Sequence, residues 1–264
     1  MGHAGLGPWA PVAAPDTMVR QDTPGTKEAQ IANPDLTGRT VVITGGSRGI
    51  GRATAERALA AGARVVLGAR DAQRLERVAA ELAAGGGEVA HLAGDVTRYA
   101  DMEALVRTGL ERFGRVDAFV ACAGVAWAGP FAEMPPEEIE AAAAVNVQGL
   151  MNGCRAALPP MLEQGAGTLV NVSSGAGHTG IPGLAAYSGS KFAVNGFTEA
   201  LAGEVGDAGV RVFAVCPGRV ATDMQEVVSG KRQGMPPKRV ADAILGLLGP
   251  RPPVRPGDCL DVTR

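Results

Sequence analysis

The sequence predicts an α/β fold, a parallel sheet covered by helices on both faces. Three observations predict it. From Leu36 onward, short apolar runs alternate with helical patterns. The first run passes through a glycine-rich turn directly into a helix. Glycines and polar residues then recur just after the strand candidates, where ligands bind in such folds.

The first strand is 40–44. Its run Thr40-Val41-Val42-Ile43 is rich in β-branched residues and reads as a buried parallel strand. Thr44-Gly45-Gly46-Ser47-Arg48-Gly49-Ile50-Gly51 follows, then a helix at about 50–61. The glycines permit a tight turn and close backbone approach, and the helix N-terminus offers N–H groups to a pyrophosphate. The second strand, 63–68, ends at Gly68-Ala69-Arg70 and precedes a helix at 71–84. The third, 88–94, is followed by Asp95-Val96 and a helix at 99–113. The fourth, 116–122, is followed by Ala123-Gly124 and a long helix at 136–164. The fifth, 167–173, leads to Ser174 and a helix at 187–206. The sixth, 210–216, leads to Pro217-Gly218 and a helix at 237–248, and a seventh closes the chain at 258–263.

Bulk composition narrows the function. The 264 residues suffice for one α/β domain with a substantial core, though length alone also permits two. Twenty-five basic and 27 acidic residues nearly balance, so nothing points to nucleic acid or an anionic membrane. No apolar run reaches the roughly 18 residues of a membrane span. Cys122, Cys154, Cys216 and Cys259 have no paired spacing. Cys122 and Cys216 sit in apolar strand-like runs, as buried reduced thiols would, rather than disulfides or a metal site. His3, His91 and His178 are scattered along the chain and read as incidental. Residues 1–35 are rich in Gly, Pro, Ala and Thr without periodicity and read as a disordered tail, with Met18 an alternative start. No secretory signal pattern is present, so the expected location is the cytoplasm.

The chemistry is expected around Tyr187, Lys191 and Ser174. Tyr187 and Lys191 are four apart, on one helix face. There the ammonium can stabilise a phenolate and lower the tyrosine pKa from about 10. Ser174 lies thirteen residues before the tyrosine. A phenol, an ammonium and a hydroxyl are what an enzyme needs to move a proton on or off a carbonyl oxygen. Asn146 falls inside the long helix, where an asparagine is unexpected unless the backbone there does something else.

The spacing Gly-x-x-x-Gly-x-Gly (Gly45, Gly49, Gly51) with Tyr-x-x-x-Lys downstream resembles the short-chain dehydrogenase/reductase family from about Leu36 to the C-terminus. The resemblance implies a doubly wound, seven-stranded Rossmann fold and hydride exchange between a nicotinamide cofactor and a carbonyl or alcohol. It implies that Ser174 orients the substrate oxygen and Tyr187 is the general acid or base. Lys191 would lower the tyrosine pKa and bind the nicotinamide ribose, and the Asn146 backbone would hold a water. Asp95-Val96 would lie at the adenine. Pro217-Gly218-Arg219-Val220-Ala221-Thr222 matches the family's Pro-Gly-x-Val-x-Thr, so the Val220 backbone would hold the carboxamide and Thr222 would fix the cofactor. Ala121-Cys122-Ala123-Gly124 departs from the family's Asn-Asn-Ala-Gly, which puts the tie between neighbouring strands in doubt.

An NAD site places Asp or Glu at the end of the second strand, where this chain has Ala69. Arg48 and Arg70 suit a 2′-phosphate, so NADP(H) is expected, while Asp71 argues the other way. The expected pocket walls are Val125-Ala126-Trp127, Gly175 to Leu184 and the segment after Thr222. These are mainly small and apolar, which favours an apolar or modestly polar ketone. The segment 223–236 reads as a lid or a solvated loop, and its Lys231-Arg232 could meet an acyl carrier. Three functions stand open: an NADP-dependent carbonyl or 3-oxoacyl reductase, an NAD-dependent alcohol or steroid dehydrogenase, and a non-catalytic dinucleotide sensor. A homo-oligomer, tetramer or dimer, is implied by the resemblance, through the helices at 136–164 and 187–206; the alanine-rich face Ala141 to Ala144 permits close packing.

Overall fold

The computed structural model describes residues 34–263. The expected tail, with His3 and Met18, lies outside the described residues except for Pro34 and Asp35. The Asp35 carboxylate accepts hydrogen bonds from the Thr37 N–H and hydroxyl. Leu36 then enters the core, 1% exposed.

Seven parallel strands form one sheet in the order β3-β2-β1-β4-β5-β6-β7. They are β1 (Thr40–Thr44), β2 (Arg64–Ala69), β3 (Val89–Ala93), β4 (Ala118–Ala121), β5 (Gly167–Val172), β6 (Val210–Pro217) and β7 (Cys259–Val262). Side chains alternate between two cores, as a strand period of two demands. Val41 and Ile43 of β1 face one core while Val42 faces the other, and in β4 Val120 and Phe119 divide likewise. Helices α1 (Gly49–Ala60), α2 (Ala72–Ala84) and α8 (Pro237–Leu248) cover the first face. Helices α3 (Tyr99–Phe113), α5 (Leu150–Gln164) and α6 (Ala185–Val205) cover the second. This is a doubly wound Rossmann sheet forming one domain. The strand order reverses between β1 and β4, which opens a crevice beyond their C-terminal ends.

Two elements differ from the sequence expectation. The helix expected at 136–164 is interrupted. An α4 segment (Pro136–Ala143) and α5 are joined by a wide π-helical turn at Ala144–Gly149, which holds Asn146. Asparagine suits that turn because the regular helical ladder is already broken there. The segment after Thr222 contains a short helix, α7 (Asp223–Ser229), whose N-terminus is capped by the Thr222 hydroxyl. Its seven residues are too few for apolar periodicity to reveal. Among the described residues, no helix is long and apolar enough to cross a membrane.

Candidate active site

The turn after β1 is built to approach other backbone. Gly45 has φ +67° and Gly49 φ +54°. A Cβ on Gly51 would lie 2.3 Å from the Gly45 carbonyl oxygen, and one on Gly45 would lie 3.0 Å from the Ala123 backbone. Only glycines permit this packing of the turn against α1 and the end of β4. Helix α1 begins with no acidic residue in its first turn and no side-chain cap, so its N-terminal N–H groups are open to an anion. The departure Ala121-Cys122 is offset locally: the Thr44 hydroxyl accepts from the N–H groups of Cys122 (3.1 Å) and Ala123 (3.3 Å), tying β1 to β4.

Gly45, the loop from Ser47 to Gly51, Arg70, Asp95-Val96, Ala123-Gly124 and Thr222 line a single cleft. Most of the predicted cofactor residues therefore meet. Pro217, Gly218 and Val220, and the predicted cofactor contacts Tyr187 and Lys191, are not part of that wall. The Gly218 N–H is bound to the Val262 carbonyl at 2.9 Å, and Val220 pairs with Met235. Asp95 accepts from the Thr97 N–H and hydroxyl, both at 2.9 Å. Burial pushes its carboxyl pKa up, but these bonds, with Arg70 and Arg98, outweigh that and hold it below the ordinary value.

The arginine end of the cleft contains a residue the sequence reading missed. Arg74, in the first turn of α2, lines it with Arg48 and Arg70. Asp71, which seemed to argue for NAD, instead caps α2, its side chain accepting from the Arg74 N–H at 2.9 Å. Asp223 of α7 pairs with Arg48 (3.3 Å), Arg74 (3.6 Å) and Arg232. Arg232 is thus engaged within the chain, also with Glu226 at 3.1 Å.

The four predicted catalytic residues converge where β5, α6 and the π turn meet. Ser174 ends the strand run, half-buried, and its hydroxyl hydrogen-bonds the Tyr187 phenol. Lys191 is 4% exposed, its ammonium donates to the Val172 carbonyl at 2.8 Å, and it lies 5.6 Å from the centre of the Tyr187 ring. Asn146 is 1% exposed. Its side chain accepts from the Val125 N–H (2.8 Å) and donates to the Val125 carbonyl (2.9 Å) and the Ser190 hydroxyl (3.0 Å). Ser190 in turn donates to the Tyr187 carbonyl at 2.7 Å. Ser190 was also missed, its only signal being its place beside Lys191. Through it Asn146 ties the wall after β4 to the turn of α6 that carries Tyr187. Ser173, the neighbour of Ser174, is buried and turns to the Lys191 carbonyl at 3.3 Å.

One electrostatic expectation is reversed. Tyr187 is pushed up, not down: burial dominates, and the Ser174 hydrogen bond only partly offsets it. Burial also pushes the Lys191 ammonium down to about 8. The ammonium itself donates to the Val172 carbonyl and lies 5.6 Å from the ring centre.

The expected pocket walls also come together. Val125 lines the cleft with Met224 of α7, and the Gly129 N–H bonds the Gly183 carbonyl at 2.9 Å, linking the loops after β4 and before α6. A Cβ on Gly124 would come within 3.3 Å of Asn146, 3.7 Å of Met224 and 4.0 Å of the Lys191 ammonium. This glycine leaves room beside Asn146 and Lys191.

Comparison with known proteins agrees with this architecture. A sequence profile for short chain dehydrogenase matches residues 39–233. The chain is similar to the glycine betaine reductase of Emericella nidulans, 42% identical over 72% of this chain, and spans 15% of that protein's length. It is similar to the structure of a 3-ketoacyl-(acyl-carrier-protein) reductase from Brucella melitensis complexed with NADH (32% identity, 86% of this chain and 98% of that one, TM-score 0.81). It is likewise similar to an actinorhodin polyketide ketoreductase variant with NADPH (31% identity, 85% and 95%, TM-score 0.80). The glycine turn, the doubly wound sheet and the matched profile together place this chain in the short-chain dehydrogenase/reductase family, oxidoreductases that interconvert C=O and CH–OH with NAD(P).

Proposed function

We propose that the enzyme reduces a ketone of the 3-oxoacyl type with NADP(H), using Ser174, Tyr187, Lys191 and Asn146. The observation that carries this is their convergence beside Gly124, which lines the glycine- and arginine-lined cleft and packs close to Asn146 and Lys191. The likeness to a 3-ketoacyl and a polyketide ketoreductase supports the substrate class. Arg48, Arg70 and Arg74 support a cofactor bearing a 2′-phosphate. The open N-terminus of α1 and the glycine turn fit its pyrophosphate.

A bound nicotinamide cofactor supplies the hydride. The chain's own groups handle the oxygen and the proton. Ser174 donates a hydrogen bond to the carbonyl oxygen and aligns it with Tyr187. Tyr187 stays protonated in its buried setting and gives its proton to the oxygen as negative charge develops there. Lys191 stabilises the phenolate left behind. Asn146 positions this set by fixing both Val125 and, through Ser190, the backbone of Tyr187. Alcohol oxidation runs the same transfers backward. Pro217, Gly218 and Val220 would complete the nicotinamide end. The same reading makes the enzyme a cytoplasmic homo-oligomer, packed partly through α5 and α6; sedimentation velocity would test the assembly.

The test is a panel of ketones followed at the NADPH absorbance, with NADPH and NADH affinities measured separately. Tyr187→Phe should lose at least about a thousandfold in kcat while binding NADPH within about twofold. Near-full turnover by that variant on a confirmed substrate would refute the assignment. Tighter binding of NADH than NADPH, as the Brucella complex allows, would instead favour the NAD-dependent dehydrogenase.

A further inference from the structure

Outside the cleft, the fold assembles three side chains that the sequence scatters. His178 follows the short helical turn Gly175–Gly177 after Ser174, Cys216 lies in β6 and Cys259 opens β7. Strands β6 and β7 are parallel with Ala214 opposite Cys259 and Cys216 opposite Asp261. Cys216 and Cys259 are therefore diagonal neighbours on one sheet face, with Asp261 beside Cys216. The imidazole nitrogen and two sulfurs all lie within 4.8 Å of one another.

We propose that His178, Cys216 and Cys259 bind a zinc ion, with a water in the fourth position. The donor chemistry selects the metal. Two thiolates and an imidazole suit zinc, whereas magnesium and calcium take oxygen donors. The geometry is close to what zinc requires. With Zn–S bonds of about 2.3 Å, a tetrahedral site has S···S edges of about 3.8 Å, so the ligands need draw in by no more than about 1 Å. A second observation points at the same place. His178 Nε2 is buried without a hydrogen bond. Its nearest charged neighbour is Asp261 Oδ1, at 3.1 Å. A metal on Nε2 removes that deficit, and a water can complete the shell. Both thiols give their protons to solvent as the ion binds.

None of the three ligands lines the glycine- and arginine-lined cleft, though Cys216 is close enough to act electrostatically on Tyr187 and Lys191. The site sits behind the catalytic groups. Cys216 Sγ lies 3.8 Å from the Asn195 side-chain oxygen, and Asn195 donates to the Gly177 carbonyl at 3.0 Å. Zinc would staple the four-residue edge strand β7 to β6 and to the segment leaving Ser174. Its role is structural.

The test uses the full chain, stripped by a chelator under reducing conditions and titrated with Co²⁺, which replaces zinc and absorbs light. One equivalent should bind with a thiolate-to-cobalt charge-transfer band, and Zn²⁺ should raise the thermal midpoint. Cys259→Ser and His178→Ala should each weaken Co²⁺ binding by at least about tenfold, while Cys154→Ala, whose thiol is buried against Asn171 of β5 instead, should leave it unchanged. His178 is half-buried on a loop, so its variant keeps the test decisive if the cysteine variant fails to fold. No thiolate band, an undiminished band in Cys259→Ser, or a Cys216–Cys259 disulfide with no metal binding by the reduced chain would each overturn the proposal.

Discussion

Lys191 shows how the residue proposed to aid proton transfer works against the stability of the fold. Burial lowers its pKa to about 8 from its ordinary 10.5. Between those values the unfolded chain binds more protons than the folded one, so this group makes stability rise with pH across that window. The thermal midpoint of the parent chain relative to Lys191→Met should therefore climb from pH 8 to pH 10, as read by calorimetry. Activity should run the other way. Reduction needs the charged ammonium, while Tyr187, pushed up, keeps its proton. The reductive kcat/KM should fall as pH rises through about 8, because that parameter reports the free enzyme. A flat profile to pH 10 would remove Lys191 from the mechanism. The Tyr-x-x-x-Lys spacing announced the pair in the sequence. The direction of the tyrosine shift did not follow from spacing, because desolvation depends on everything packed around the phenol.

At the scale of elements, α7 and the π turn are the instructive cases. Helix α7 places Asp223 among Arg48, Arg74 and Arg232. These pairs are largely exposed, so each is individually weak. They matter through competition, because a 2′-phosphate would need the same guanidiniums. Asp223→Asn should tighten NADPH binding by about threefold to tenfold at low salt and less at high salt, with NADH binding little changed. Fluorescence titration of both cofactors would measure it, and equal effects on the two would sink the idea. The π turn explains Asn146. The sequence flagged it as out of place in a helix, yet only the structure reveals its hydrogen bonds to Val125 and Ser190. Those partners lie 21 and 44 residues away, beyond any local pattern.

Across the whole molecule, stability rests on two cores separated by one sheet. Phe119 and Phe213 anchor opposite faces, both essentially without exposure. Gly153 of α5 lets that helix settle on Phe119: a Cβ there would lie 2.4 Å from the ring. Phe119→Ala should cost about 3–5 kcal/mol, because the ring's apolar contacts vanish and the helix cannot collapse fully into the gap. Urea unfolding would report it, and a loss below about 1 kcal/mol would mean the second core is less tightly packed than its burial implies.

The sequence by itself determined the alternation of strand and helix, the glycine turn after the first strand and the four polar groups proposed for proton transfer. Those signals are local: β-branched runs, glycines that must adopt positive φ, and residues one helical turn apart. Tertiary structure alone decided that Asp71 caps a helix, that Arg74 reaches the cleft and that Asp223 competes for its arginines. It also gathered His178, Cys216 and Cys259, which the sequence reading set aside as incidental or as simple thiols. The physical reason is shared by all of these. Contacts between residues far apart in the chain depend on strand order and register, and those are set by how the two cores pack around the sheet rather than by any short pattern.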